Sequence, residues 1–177
     1  MCIRDRDNSS RLSLATTYTD LAGNNGPARQ TANYEIDTLA PTVNSVAITG
    51  VQGDQNSFLN ATDNVSVTAT FSETVNVSGT PTLTLVVGSD NRTARYASGD
   101  NSTELVFRYT IQSGGNDSNG ISIRANALDN NGSTIRDVAL NYAILTHSAD
   151  SDNSSFIVDT TPPTVSSVAI DLSLIHI

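Results

Sequence analysis

Three observations predict an all-β protein, an antiparallel β-sandwich repeated in tandem. The first is a stretch that occurs twice, at Ile36–Ile48 (IDTLAPTVNSVAI) and at Val158–Ile170 (VDTTPPTVSSVAI), with nine of thirteen positions identical and a constant offset of 122 residues. A fixed long period of this kind marks an array of similar modules. The second is the recurrence of short apolar/polar alternations, the period-2 signature of half-buried strands, separated by Gly, Asn, Asp and Pro. The third is the lack of any sustained 3.6-residue apolar stripe, the best helical candidate being the single turn Ala125–Leu128.

Residues 7–38 read as the closing part of an upstream module. Thr16–Thr19 and Thr31–Ile36 flank the Gly/Asn turn Asp20–Gly26, as in a β-hairpin. Each copy of the repeat then reads as a strand end, a proline-stiffened junction and the first strand of a new module, because proline fixes φ and biases its predecessor toward extended backbone. The complete module, 39–159, opens with Val46 and Ile48, followed by a polar loop over 50–60. Val65, Val67, Ala69 and Phe71 alternate with Ser66, Thr68 and Thr70, and Leu83, Leu85 and Val87 repeat the pattern after Pro81. Ala94 and Tyr96 predict a short fourth strand, and Leu105, Phe107, Tyr109 and Ile111 a long fifth. Ile121 and Ile123 open a sixth, and either Ile144 with Leu145 or Phe156–Val158 supplies the last. Residues 160–171 begin the next module. The aromatics Tyr96, Phe107 and Tyr109 fall on the inward phase and read as core.

The two ends read as foreign to the protein. Met1–Arg6 back-translates to ATG TGT ATA AGA GAC AG, whose reverse complement, CTG TCT CTT ATA CAC AT, encodes Leu-Ser-Leu-Ile-His-Ile, the residues at 172–177. One inverted nucleotide sequence therefore accounts for both 1–6 and 172–177, and it resembles a transposase adapter used in preparing shotgun DNA libraries. Removing Arg4 and Arg6 from nine cations and Asp5 from eighteen acids leaves seven against seventeen, a net charge of −10. The lone cysteine, Cys2, also goes, so the module is held by its core or by a metal rather than by disulfides. A strongly acidic chain without lysine argues against nucleic acid and anionic membranes as partners, and favours solvation or divalent cations. No apolar run approaches the roughly 20 residues of a membrane span.

With the elements in place, several motifs resemble the bacterial Ig-like repeats of large secreted surface proteins and adhesins. They are the duplicated Asp-Thr-x-x-Pro-Thr-Val-x-Ser-Val-Ala-Ile, Val65–Glu73 (VSVTATFSE), Gly79–Leu85 (GTPTLTL), Asn119–Ile123 (NGISI), Ile135–Asp137 and Leu145–Ser148. The resemblance covers residues 36–170 and implies an Ig-like antiparallel β-sandwich. The cysteine pair and buried tryptophan of immunoglobulin domains are missing, so that fold label rests on strand count and spacing. Asp20–Asn24 (DLAGN) resembles a turn of related repeats. At the matching turn, Asp137–Asn141 (DVALN), Leu140 stands where the other has glycine, and left-handed backbone is costly for leucine.

In a seven-strand sandwich the chain alternates between two poles, which places Glu73, after the second strand, and Asp137, after the sixth, beside the entering Asp37. Three carboxylates with carbonyls and water can supply the 6 to 8 oxygens that Ca²⁺ takes, at the roughly 10⁻⁴ to 10⁻³ M affinity of extracellular modules. Calcium-stiffened junctions are also what the resemblance implies. The competing reading is an Asx-turn at Asp37 and Asp159 ahead of the prolines. A full strand over Ala143–His147 would change the pole count and displace Asp137. Asp63 and Asp117, at the opposite pole, are weaker metal candidates and better read as turn caps. Asp150 and Asp152 alternate as in calcium loops, without the glycine and distal glutamate of an EF-hand. Away from the ends His147 is the sole histidine, no cysteine remains to partner it and the many serines are compositional, so no enzyme is expected.

The resulting expectation is a spacer or stalk module of an extracellular adhesin-type protein at the bacterial surface, partnered by neighbouring modules of the same chain, with the adhesion target unspecified. The alternatives are a carbohydrate- or other ligand-binding sandwich, which would need exposed aromatics or a flat threonine array, and an accessory domain of a secreted multidomain enzyme.

Overall fold

A computed structural model of the protein describes residues 6–169, so the ends read as adapter lie outside the described residues apart from Arg6. The described chain is all-β, and no helix is found in it. Its first part is a laddered hairpin. Strand β1 (Arg6–Ser10) pairs with β4 (Tyr34–Asp37), and between them β2 (Ser13–Leu14) pairs with β3 (Arg29–Gln30). A bridge Thr19–Asn25 closes the tip around the predicted turn. Of the two runs expected to pair, Thr31–Ile36 supplies most of β4, while Thr16–Thr19 forms only the bridge at Thr19 and the first arm pairs further out, and the side chains of β2, β3 and most of β4 are exposed.

The remaining elements build one curled sheet and a small cap. The sheet runs β12 (Leu128–Asp129), β8 (Thr82–Val87), β9 (Asp90–Ser98), β10 (Ser102–Thr110), β7 (Asn64–Ser78) and β13 (Thr134–Arg136), with β5 (Val43–Gln52) also paired to β7. Every ladder in it is antiparallel. The cap joins β11 (Asn116–Asp117), β14 (Ile157–Asp159) and β6 (Phe58–Leu59), and its β14–β6 ladder is parallel.

The long strand β7 organises the rest. Its first half alternates buried Val65, Val67, Ala69 and Phe71 with half-exposed partners and is paired on both sides, to β5 and β10. The register then shifts near Ser72–Val75, and the second half takes β13 as partner, Val77 opposite Ile135. A shift of this kind bends a strand and lets it turn a sheet's corner. The inner face of the curl packs Val65, Val67, Leu83, Leu85, Leu105, Phe107, Ile121 and Ile123 into one core. Tyr96 meets Phe107 edge-on with ring centroids 6.1 Å apart, and Tyr109 is buried.

Several expectations need correction. The short fourth strand is nine residues long, because Arg, Thr and Asn on its outer face hide its extent from an apolar count. Ile121 and Ile123 are buried in irregular chain held by single bridges from Ser122 to Val86 and from Ile123 to Asp150. The 50–60 loop contains Leu59, 1% exposed and part of the core. No helical turn forms at Ala125–Leu128, which leads instead into β12. Residues 143–147 form bridges and no full strand. Of 160–171, the described part to 169 is extended and unassigned to any strand, and 170 and 171 lie outside the described residues.

Candidate metal centre

The entering linker is tied down by its own residues and by a distant turn. Asp37, at the end of β4, accepts a hydrogen bond at Oδ1 from the Leu39 amide at 2.9 Å, and Asp159 does the same with the Thr161 amide at 2.9 Å. Both copies of the repeat thus form an Asx-turn ahead of proline. At the first copy a second set of groups is added. Glu73 sits just past the last β5 partner of β7 and within the register shift of its β10 ladder, and Asp137 directly follows β13, so the bend in β7 brings both to the linker. One carboxylate oxygen from each of Asp37, Glu73 and Asp137 lies within 4.8 Å of the other two.

This is an all-oxygen donor set with no histidine or cysteine, the preference of hard cations such as Ca²⁺. Asp37 and Glu73 are half-buried and Asp137 is 1% exposed. A buried charge is costly unless paired, hydrogen-bonded or bound to metal. Asn141 supplies part of that compensation: its amide N–H donates to Asp137 Oδ1 at 2.8 Å and its side-chain Nδ2 to Asp137 Oδ2 at 2.8 Å. The same Nδ2 faces the linker carbonyls of Asp37 at 3.0 Å and Leu39 at 3.4 Å. The three residues, each offering a carboxylate oxygen, could hold a metal ion.

Asp137–Asn141 and Asp20–Asn24 are the same turn. In both, the first-residue amide donates to the fifth-residue carbonyl, the fourth-residue amide to the first carbonyl, and the asparagine amide and Nδ2 to the aspartate carboxylate. At Asp20, Asn24's side chain, aided by backbone donors, holds the carboxyl below its ordinary value near 3.8. Gly23 has φ +86 and Leu140 has φ +72, so the left-handed conformation forms despite the leucine, whose side chain is 67% exposed.

The weaker candidates cap turns. Asp63 Oδ2 accepts from the Asn60 amide at 2.7 Å, while Asp117 accepts from the amides of Gly88 at 2.7 Å and Gly120 at 2.9 Å. Both are buried, and among the described residues neither belongs to a three-carboxylate group. Asp150 uses its backbone to bridge Ile123, and Asp152 accepts from Asn119 Nδ2 at 2.5 Å. His147 is buried and structural in its contacts. Its Nε2 accepts from the amides of Ala127 at 2.9 Å and Leu128 at 3.2 Å, which leaves Nδ1 to donate to the Ser148 carbonyl at 2.7 Å. The sequence places Asn141 in the turn matching Asp20–Asn24, but neither its contacts to the linker nor this histidine latch is foreseen from it. The Asp-x-x-x-Asn spacing shared with Asp20–Asn24 was the available signal for Asn141; nothing local marks the latch.

Set against protein-family models, curated proteins and solved structures, the chain gives no match in any of the three comparisons.

Proposed function

We propose that this chain belongs to the stalk of an extracellular bacterial adhesin-type protein. Ig-like sandwich modules follow one another in tandem in that stalk, and calcium held by Asp37, Glu73 and Asp137 stiffens the junction between them. The role is mechanical rather than enzymatic: each module adds length, and its partners are the neighbouring modules.

The observation that carries the reading is the convergence of the linker's Asp37 with Glu73 and Asp137 from the module body. A cation there would be shared by the connection and the domain it enters. Two further features support it. The duplicated linker forms the same Asx-turn twice, and the Asp-x-x-x-Asn turn recurs on both sides of the first junction. In addition, the chain enters and leaves at opposite ends of the first half of β7, the part paired to β5. Thr42 accepts from the Ser72 amide at one end, while Thr160 bonds to Gly115 and Asn116 beyond Ile111, which pairs with Asp63 at the other. The eight residue steps from Asn64 to Ser72 span roughly 26 Å at about 3.3 Å each, so modules joined this way extend into a rod.

Backbone ¹⁵N relaxation tests the stiffening. With millimolar Ca²⁺ the amides of Thr38, Leu39 and Ala40 are expected to become as ordered as those of β7, and chelator should loosen them. Linker order that ignores both additions would refute the proposal.

A further inference from the structure

We propose that the outer face of β9 and β10 carries an oxyanion-binding groove for carboxylate- or sulfate-bearing polysaccharide chains. Arg95 and Arg108 stand directly opposite each other in the β9–β10 ladder, and both are exposed. Like charges facing across a ladder weaken a sheet. Here the pair lies in a row with Ser66 on one side and Thr82 on the other, so no carboxylate offsets it. Among the described residues neither arginine takes part in an ion pair; the nearby Arg92 instead engages Asp90 at 2.6 Å. This placement is notable in a chain with eighteen acids against nine cations.

The two guanidinium groups line an open groove of about 420 Å³ together with Asn91, Thr93, Thr110 and Gln112, with the Asp90-paired Arg92 and the buried Tyr109 along it, and no carboxylate lines it. Two of its side chains are already ordered: Thr110 donates to Asn64 Oδ1 at 2.8 Å, and Gln112 donates to the Thr110 carbonyl at 2.7 Å. Guanidinium forks match the geometry of planar or tetrahedral oxyanions, and the neutral amides and hydroxyls suit sugar hydroxyls. A protein partner would require an exposed apolar or aromatic centre to the patch, and the one aromatic along this groove, Tyr109, is buried. With two unpaired charges the binding is weak and strongly salt-dependent.

The test is affinity electrophoresis and ¹⁵N shift titration of the whole chain at low ionic strength against polygalacturonate, dextran sulfate and neutral dextran. Binding to one or both polyanions, with shifts centred on Arg95 and Arg108 and none with dextran, is expected; the stronger polyanion tells carboxylate from sulfate. Arg95→Gln and Arg108→Gln should each weaken binding by about tenfold, the scale of one charged hydrogen bond. Arg124→Gln makes the same charge change at an exposed site outside the groove and should leave binding intact. Thermal melts of the two groove variants should match or exceed wild type, since each relieves a like-charge pair. The proposal is overturned by absence of binding, by equal loss in Arg124→Gln, by groove variants that melt well below wild type, or by concentration-dependent self-association that Arg95→Gln abolishes, which would assign the groove to an acidic face of another copy.

Discussion

Replacing Glu73 by glutamine should stabilise the calcium-free protein and abolish the calcium dependence of its stability. The substitution keeps shape and an acceptor oxygen but removes one of three negative charges whose oxygens lie within 4.8 Å of one another. At that distance a like-charge pair costs about 1 kcal/mol at the dielectric of water and about 3.5 kcal/mol at an effective dielectric of 20. Asp37 and Glu73 are half-buried, so the lower end applies. Relief of the two pairs involving Glu73 is then worth about 2 kcal/mol, or roughly 6 °C of melting temperature for a chain of this size. Calcium acts in the opposite sense. A site of 10⁻⁴ to 10⁻³ M affinity in about 10 mM Ca²⁺ stabilises the folded state by about 1.4 to 2.7 kcal/mol. Thermal melts by circular dichroism, in chelator and in Ca²⁺, provide the assay. Glu73→Gln should melt above wild type in chelator and lose that advantage in calcium, where wild type gains and the variant does not. A variant less stable than wild type in chelator, or an equal calcium gain in both proteins, would refute the reasoning.

Other expectations follow from contacts outside the triad. His147→Ala leaves the half-buried amide of Ala127 and the buried amide of Leu128 without their acceptor and should cost about 2 to 3 kcal/mol in urea unfolding, with His147→Gln recovering part of the loss. Gly120→Ala should be at least as damaging: a Cβ there would lie 1.9 Å from the Asn153 carbonyl oxygen, a backbone atom with little room to yield, and the residue has φ +99. Asp20, whose carboxyl is held below its ordinary value, should support its turn fully above about pH 4 and release it as pH falls through the lowered folded value. Acid titration of the Asn24 amide shift by NMR checks this, and a midpoint at or above 3.8 would contradict it.

How much was legible depended on whether a residue's role was set by its neighbours in sequence. The alternation in Val65–Phe71, Leu83–Val87 and Leu105–Ile111 is a direct imprint of a sheet with one wet face, and these became β7, β8 and β10. The β9 strand was underestimated because its outer face carries Asn, Thr and Arg whose value lies outside the core. Leu59 is buried in a two-residue ladder that no periodicity announces, whereas the alternation of Ile121 and Ile123 marks their burial but overstates the strand, since only single bridges form there. Nor does any local signal forecast the parallel contact of Phe58–Leu59 with Ile157–Val158, closed by residues nearly a hundred positions apart.

The acidic triad was accessible through topology: counting strands between two poles placed Glu73 and Asp137 beside Asp37, and their oxygens do lie together. The link that Asn141 makes from that turn to the linker escaped because asparagine is abundant in the sequence and its partners are backbone carbonyls about a hundred residues away. Leucine at position 140 was an obstacle the turn absorbs: four surrounding hydrogen bonds hold it at φ +72 against its preference.

The most direct test of a metal-stiffened junction is calorimetric titration of the whole chain with Ca²⁺, beside Glu73→Gln and the turn-cap variant Asp117→Asn. One ion per chain should bind at the millimolar to sub-millimolar affinity of extracellular modules, be lost in Glu73→Gln and be kept in Asp117→Asn. No heat at millimolar Ca²⁺, or binding that survives Glu73→Gln unchanged, would contradict the account.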